Sequence, residues 1–317
     1  MTKPRARPAD DPRNTPVWLR KELLSQGYDD YAIRQLLRDG VIVRLRRGAF
    51  VSKGPHDQLD VVGQHGLLAR AVIKQAKTEV VLSHVSGLGE YDVPVWGIDL
   101  TDVHVTRVDG KVGRHEAGVH QHCGRIQEGD VVTRNGVRVM SATRLALEVT
   151  TVVDIERALC VVNFLLNAGH TTPEQLRARY RTMECWPNTL PTDIVLRLAD
   201  PRIESVAETR SYHLFWRCGL PAPELQYEVR DVDGELLGRL DFAWPALGVW
   251  IEFDGNVKYE KPLKPGQSAS EVVVAEKRRE DRIRRRTGWR CIRLTWADLE
   301  HPERTGAMLR RELLGQI

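Results

Sequence analysis

The sequence predicts a multidomain α+β protein, for three reasons. Its 317 residues exceed the size of about 250 residues at which a single core usually stops growing. Some segments carry apolar residues at helical spacing and others at strand spacing, so the chain contains both kinds of element. The pattern also breaks near residue 57 and again at residues 185 to 193, where the loop CWPNTLPTD is rich in Pro and Asn. We therefore expect a disordered polar tail (1–16), a small helical domain (17–56), an α+β middle domain (57–185) and a carboxyl-terminal domain (194–317).

The composition narrows the functional classes. Lys and Arg number 47 against 43 Asp and Glu, a slight basic excess that permits nucleic-acid binding without requiring it. The five cysteines are scattered without a CxxC pair, and the start of the chain has no secretory signal. Both features predict a reduced, cytoplasmic protein. No apolar run approaches the roughly 18 residues of a membrane helix, so we do not expect membrane insertion.

The segment after the tail has the pattern of a winged helix-turn-helix. VWLRKELLSQG and YAIRQLLRD carry apolar residues at helical spacing, and each ends at a glycine. VIVRLRRGAFV then alternates apolar residues with arginines, which predicts a strand with one apolar and one cationic face. The alternative is a solvated helix face and an edge strand protected by charge. If the unit binds DNA, the side chains expected on bases and phosphates are Arg34, Gln35, Arg38, Arg44, Arg46 and Arg47.

The middle segment mixes helices and strands. The amphipathic stretch DQLDVVGQHGLLARAVIKQA leads to the strands TDVHVTRV and GVHQHC and to VVTRNGVRV, a hairpin whose Asn-Gly pair favours a type I′ turn. Three helical stretches follow. His120, His122 and Cys123 suggest zinc, but we do not expect a metal because no second ligand pair lies at metal spacing. Arg144, at the start of a helix, is expected to form a structural salt bridge.

The last segment is ordered helix, three strands, basic helix, strand. Asp241 lies near the end of LGRLDFAWP and Glu252 near the end of GVWIEFDG. Neighbouring antiparallel strands joined by so short a loop can hold two carboxylates close together. Such carboxylates repel unless a cation lies between them, and their hard oxygen ligands suit Mg²⁺ or Mn²⁺. A divalent ion at this position would suit hydrolysis of a phosphodiester.

Each acidic residue also has a structural explanation of its own. Glu208 completes an S-x-x-E capping box, Asp254 begins a common turn dipeptide, and Asp241 could be an edge-strand charge. Glu252 follows the apolar run LGVWI, where a carboxylate is costly without a partner, and an arginine of the next helix could be that partner. Taken together and in this order, the four residues predict a metal site.

The helix expected at residues 271 to 288 is strongly cationic. Glu280 and Arg284 are spaced as an i,i+4 ion pair, so part of the charge is paired within the helix. The surplus shares one side and could follow a phosphate backbone. The residues expected to contact DNA there are Arg278, Arg282 and Arg285.

This segment resembles the PD-(D/E)XK nuclease superfamily, and within it the branch of the very-short-patch repair endonucleases. The resemblance covers roughly residues 200 to 300 and rests on Asp241, on EFDG at 252–255, on the basic helix and on RLTW at 293–296. It implies a restriction-endonuclease-like domain, with a mixed sheet flanked by helices, that cuts DNA with Mg²⁺ or Mn²⁺. The metal ligands it implies are Asp241, Glu252 and Glu208, the last on the first core helix.

The chain departs from the superfamily at the residue that positions the attacking water. Many members have Lys two residues after the Glu, where this chain has Asp254. The resemblance implies that Lys258 takes this role, with Lys277 as the rival. Catalytic residues are then expected at Asp241, Glu252, Asp254, Lys258 and Glu208. A nuclease-like domain that no longer cuts is the alternative.

The first two domains resemble the AbiEi-type antitoxin family through RLRRGAFV, DVHVTR, NGVRV and SATRLALEV. That resemblance implies a DNA-binding autoregulator paired with a nucleotidyltransferase toxin. The whole chain is therefore expected to be a DNA-binding, metal-dependent endonuclease in a prokaryotic defence, repair or mobile-element context. The alternative is an autoregulator of the antitoxin type whose nuclease-like domain is catalytically silent.

Overall fold

A computed structural model describes residues 7–183, 186–254 and 269–315 of the chain. The fold is mixed α+β, as predicted, and it divides into two compact units, Met1–Ala199 and Asp200–Ile317. The second predicted boundary, at residues 185 to 193, differs from this division because a helix at Leu190–Leu198 belongs to the first unit. Residue 258, expected to position water, lies outside the described residues.

The amino-terminal part contains three helices and a three-stranded antiparallel sheet in the order β1-β3-β2. The second helix begins where the Asp29 carboxylate accepts a hydrogen bond from the Ala32 N–H at 2.7 Å. The first helix is shorter than expected because Trp18 and Leu19 pair with Phe50 and Ala49 as a strand. The elements are β1 (Trp18–Leu19), α1 (Arg20–Ser25), α2 (Asp30–Arg38), β2 (Ile42–Arg46), β3 (Ala49–Ser52) and α3 (Lys53–Asp57).

The amino-terminal part shares a core with the next helix, α4 (Val61–Gln75). Leu19 and Val51 pack in one buried cluster with Leu67 of that helix, which explains why both segments lie in one compact unit. Residues before β1 also make contacts, since Pro12–Asn14 forms a 3₁₀ turn and Arg7 pairs with Glu90 at 3.2 Å. Residues 7 to 16 of the segment expected to be disordered therefore include a 3₁₀ turn and an ion pair.

The middle of the chain forms a six-stranded sheet in the order β6-β7-β5-β4-β9-β8. The β5–β7 and β4–β9 pairs are parallel, and the other pairs are antiparallel. The β8–β9 turn has φ of 47° at Asn135 and 76° at Gly136, which confirms the type I′ turn. The strands are β4 (Val80–Leu82), β5 (Val103–Arg107), β6 (Arg114–Glu116), β7 (Val119–His122), β8 (Val131–Arg134) and β9 (Val137–Met140).

Helices pack beside this sheet. A 3₁₀ helix, His84–Tyr91, follows β4, and Arg144 lies buried in the first helix after β9. Its guanidinium bonds Glu148 at 2.8 Å and Asp130 at 3.1 Å, which confirms the structural salt bridge. The helices are α5 (Ala142–Val149), α6 (Ile155–Asn167), α7 (Pro173–Tyr180) and α8 (Leu190–Leu198).

The second unit is a four-stranded sheet in the order β10-β11-β12-β13 with helices on both faces. Only the β12–β13 pair is parallel, so the sheet is mixed. Its strands are β10 (Glu224–Arg230), β11 (Leu236–Trp244), β12 (Val249–Phe253) and β13 (Arg290–Leu294), and its helices are α9 (Val206–Arg217), α10 (Ala269–Thr287), α11 (Trp296–Glu300) and α12 (Pro302–Leu314).

Two buried clusters hold this unit together. Phe215 of α9 and Leu309 of α12 pack with Ile251 on one face of the sheet, and Ile283 of α10 packs with Trp250 on the other. Neighbouring residues of β12 therefore point to opposite cores, as strand alternation requires. Among the helices of the described residues, none has the length and apolar character needed to cross a bilayer.

Candidate metal and nucleic-acid site

Two of the predicted carboxylates lie on adjacent strands of the second unit. Phe242 of β11 pairs with Ile251 of β12, and one further step of the same antiparallel register brings Asp241 opposite Glu252. Asp241 Oδ2 accepts a hydrogen bond from the Phe253 backbone N–H at 3.3 Å. This bond fixes the Asp241 carboxylate against the strand that carries Glu252.

A third carboxylate, Glu208, lies at the start of α9. It makes the capping contacts with Ser205 that the S-x-x-E pattern predicts. The Glu208 N–H donates to Ser205 Oγ at 3.1 Å, and the Ser205 hydroxyl donates to Glu208 Oε1 at 2.8 Å. The Gln226 amide of β10 donates to Glu208 Oε2 at 3.1 Å. Because the Glu208 charge also raises the pKa of Asp241, the capping residue belongs to the same electrostatic group as the two strand carboxylates.

All three carboxyl groups are harder to ionise than usual. Burial, and next the charge of Glu208, raises the pKa of Asp241 to about 6. Burial likewise raises the pKa of Glu252, and the charge of Asp241 raises it further. Burial raises the pKa of Glu208 as well. These carboxyl groups, of which Glu252 is buried and the other two are partly buried, form an environment that a cation would stabilise.

Sequence reasoning did not assign a site role to Arg279, although it allowed that an arginine of the next helix could pair with Glu252. Arg279 Nη2 donates at 2.7 Å to both Glu252 Oε1 and Glu276 Oε1. The helix α10 passes close to β11, because a Cβ on Gly238 would lie 3.1 Å from Arg279 Nη1 and 2.9 Å from Ile283 Cδ1. The structural explanation for Glu252 is therefore also observed.

Gln226 was missed altogether. Its φ is 54°, in the left-handed region that a non-glycine residue rarely adopts, and its side chain bonds Glu208. In sequence it stands in an ordinary alternating strand, PELQYEVRD, which gives no signal for such a conformation.

Asp254 lies at the end of β12 and contacts the neighbouring strand. Its N–H donates to the Leu294 carbonyl at 2.7 Å, and its Oδ2 lies 3.6 Å from Arg293 Nη1. Arg293 also donates to Glu280 Oε2 at 2.6 Å. Lys277 is exposed on α10. Asp254 is therefore paired with a cationic side chain, away from the hydrogen bonds of the other three carboxylates.

The cationic side of α10 is exposed. Glu280 pairs with Arg284 at 2.8 Å, as predicted, so this arginine is partly neutralised. The three arginines expected on a phosphate backbone form no ion pair or hydrogen bond with any residue that the structure describes: Arg278, Arg282 and Arg285. Their charge is free to attract an anionic partner.

The amino-terminal arginines differ in their availability. Gln35 bonds Asp39 at 3.2 Å, and Arg46 is half-buried, with its Nη2 3.5 Å from the Ala117 carbonyl. The β2–β3 register shifts between Arg44 and Arg46, which explains why the two residues do not behave alike. The exposed members of the predicted DNA-binding set are Arg34, Arg38, Arg44 and Arg47.

No protein-family model matches the chain. It is similar to two chains of Mycobacterium tuberculosis, the uncharacterized proteins MT2308 of strain CDC 1551 / Oshkosh and Rv2248 of strain ATCC 25618 / H37Rv. Each is 24% identical over 280 residues, which cover 87% of this chain and 94% of the relative. Because 280 residues exceed the length of the first unit, Met1–Ala199, the similarity extends into both units.

Proposed function

We propose that this protein is a DNA-binding endonuclease that hydrolyses phosphodiester bonds with Mg²⁺ or Mn²⁺. The observation that carries the proposal is the group of Glu208, Asp241 and Glu252, three carboxylates from α9, β11 and β12 whose pKa values are all raised by burial. The mixed sheet flanked by helices agrees with the resemblance to the PD-(D/E)XK nucleases. The exposed arginines of α10 and α2 provide the positive charge that a DNA ligand needs.

The donor atoms suit a hard divalent cation, although the oxygens of Glu208, Asp241 and Glu252 do not all lie within 4.8 Å of one another. Their donors are carboxylate oxygens, which Mg²⁺ and Mn²⁺ prefer. Asp241 Oδ1 and Glu252 Oε2 accept no hydrogen bond from any residue that the structure describes, whereas Asp241 Oδ2 and Glu252 Oε1 are bonded. One oxygen of each strand carboxylate is therefore held by the protein, and the other remains for a ligand.

The roles of the residues follow from these contacts. Asp241 and Glu252 would hold the cation, and Glu208, fixed by Ser205 and Gln226, would bind it directly or through water. A bound divalent ion neutralises charge on the phosphate and lowers the pKa of a water molecule. Arg279 orients the Glu252 carboxylate and favours its ionised form, because its charge lowers the pKa of Glu252 against the larger effect of burial.

Cleavage of plasmid and branched DNA by the full chain with Mg²⁺ or Mn²⁺ tests the proposal. We expect Asp241→Asn and Glu252→Gln each to reduce cleavage by at least about 100-fold, the upper end of the effect of changing an outer-sphere partner of a metal. Mobility-shift assays should show unchanged DNA binding by both variants. Asp233→Asn removes the same charge from the exposed β10–β11 turn and should cleave normally.

The ion pair of Arg279 with Glu252 favours a second candidate. A carboxylate already neutralised by the protein does not require a metal, so the second unit could be a silent domain on a DNA-binding autoregulator of the AbiEi antitoxin type, with a nucleotidyltransferase toxin as its partner. Wild-type protein that cuts no DNA form with either metal, yet shifts its own promoter, would establish this candidate and exclude the nuclease.

A further inference from the structure

Histidines from distant parts of the chain cluster on the six-stranded sheet of the first unit. In the strand register His104 of β5 pairs with His120 of β7, which pairs in turn with His115 of β6. His122 follows two residues later on the same face of β7. His84, from the 3₁₀ helix after β4, stacks on His122 with ring centroids 3.6 Å apart.

Three of these rings converge on one point. One ring nitrogen from each of His84, His104 and His122 lies within 4.8 Å of the other two. His122 Nε2 is 2.9 Å from His104 Nδ1. Nitrogens bound at about 2.0–2.1 Å to a tetrahedral zinc ion lie about 3.3 Å apart. Zinc binding therefore requires the stacked rings of His84 and His122 to rotate until a nitrogen of each points at the same ion.

His84 is held as metal-binding histidines usually are. Its Nδ1 lies 3.0 Å from Ser83 Oγ and 3.6 Å from Glu148 Oε2, and its backbone N–H donates to Glu148 Oε2 at 3.0 Å. Glu148 is in turn fixed by Arg144. An imidazole that donates one ring N–H to a hydroxyl or carboxylate oxygen presents its other nitrogen to a metal in a fixed orientation.

The backbone of His84 supports a specific role for this residue. Its φ is 50°, a left-handed conformation that is uncommon outside glycine and is concentrated at functional positions. His84 is only 5% exposed, and its imidazole lies in the cluster rather than in solvent.

We propose that His84, His104 and His122 form a zinc site with three protein ligands and a fourth position for water or an exchangeable ligand. Three imidazoles are an established ligand set for zinc sites that retain an open position. The pattern at His120, His122 and Cys123 suggests zinc but does not predict a metal, because no second ligand pair lies at metal spacing. The fold provides the missing ligands from β5 and from the 3₁₀ helix.

Metal analysis of the full chain without an affinity tag tests the site. After dialysis with Zn²⁺ we expect about one retained equivalent, the stoichiometry of a single three-histidine site. His104→Gln and His122→Gln should retain less than about a tenth of this amount. His115→Gln is the matched control, because His115 is exposed at the outer end of the histidine row and lies outside the three ligands. Wild-type protein without zinc, or equal loss in all three variants, would overturn the proposal.

A second measurement does not depend on the folding of any variant. X-ray absorption of the zinc-loaded wild-type chain should show nitrogen and oxygen ligands at about 2.0–2.1 Å and no sulfur ligand near 2.3 Å. A sulfur ligand would assign the zinc to a cysteine such as Cys123 and would refute the three-histidine site. Neither measurement uses DNA cleavage, so the outcome is independent of the nuclease proposal.

Discussion

Replacing Asp241 by Asn distinguishes a cation site from an ordinary buried carboxylate. The change removes the charge but keeps the shape, and the Asn carbonyl can still accept the Phe253 N–H that Asp241 Oδ2 accepts at 3.3 Å. In the wild-type protein the pKa of Asp241 is raised from 3.8 to about 6. The folded chain therefore retains a proton over a pH range in which the unfolded chain has lost it.

The sign and size of the effect follow from linkage. A carboxyl group with a raised folded-state pKa makes the free energy of unfolding fall as pH rises from about 4 to about 6. At about 1.36 kcal/mol for each pKa unit, the ionised Asp241 destabilises the fold by at most about 3 kcal/mol at pH 8. Without metal we expect Asp241→Asn to be more stable than wild type at about pH 8, and about as stable as wild type near pH 4.

Magnesium should reverse this difference. A ligand that binds only the folded state stabilises it by about 2.7 kcal/mol at a hundred times its dissociation constant. Saturating Mg²⁺ should therefore stabilise wild type at about pH 8 and leave Asp241→Asn unchanged. Urea unfolding with tryptophan fluorescence, to which the buried Trp250 beside Glu252 contributes, measures both effects. Asp233→Asn, in the exposed turn, should behave like wild type. An equal gain from Mg²⁺ in wild type and Asp241→Asn would refute the cation site.

Further predictions concern α10. Arg279→Gln should destabilise the protein at neutral pH by about 2 kcal/mol, which is less than the loss of a fully buried ion pair because the Arg279 side chain is 26% exposed. The loss should be smaller in acid, where Glu252 is protonated. Urea unfolding at two pH values measures both effects. Gly238→Ala should cost about 1–3 kcal/mol in the same assay, because its Cβ would lie 2.9 Å from Ile283 Cδ1, whereas Gly66→Ala, with nothing within 4 Å, should not destabilise. Replacing Arg278, Arg282 and Arg285 together by alanine should make the slope of log K for DNA binding against log salt concentration smaller by up to about 3. Arg284→Ala, which removes an arginine already paired with Glu280, is the control.

The sequence predicted the elements whose residues carry a local pattern. Strand alternation located β11 and β12, and with them Asp241 and Glu252, because a period of two and a short loop determine which residues become neighbours. The S-x-x-E box located the start of α9. The strand β1 was missed because Trp18 and Leu19 are strand-like only through their pairing with Phe50 and Ala49, a contact that no local window contains.

The parts of the sites that were missed depend on long-range contacts. Arg279 reaches Glu252 only because α10 packs against the sheet. The histidine cluster unites a 3₁₀ helix with two parallel strands, β5 and β7, so its ligands have no characteristic spacing in the sequence. Helix periodicity placed Arg278 and Arg282 on one exposed side but could not show that Arg279, between them, points to the carboxylates.

The two candidate functions make different demands on Asp241 and Glu252. Glu252 has a cationic partner in Arg279 at 2.7 Å, so a silent domain accounts for its buried charge. Asp241 accepts only the Phe253 N–H among the described residues, and its pKa is raised by burial and by Glu208. The Phe253 N–H and the charge of Arg279 offset this effect only in part, and such a carboxylate destabilises a fold unless a ligand neutralises it. Asp241 is therefore the residue that a silent domain leaves unexplained and a cation site explains.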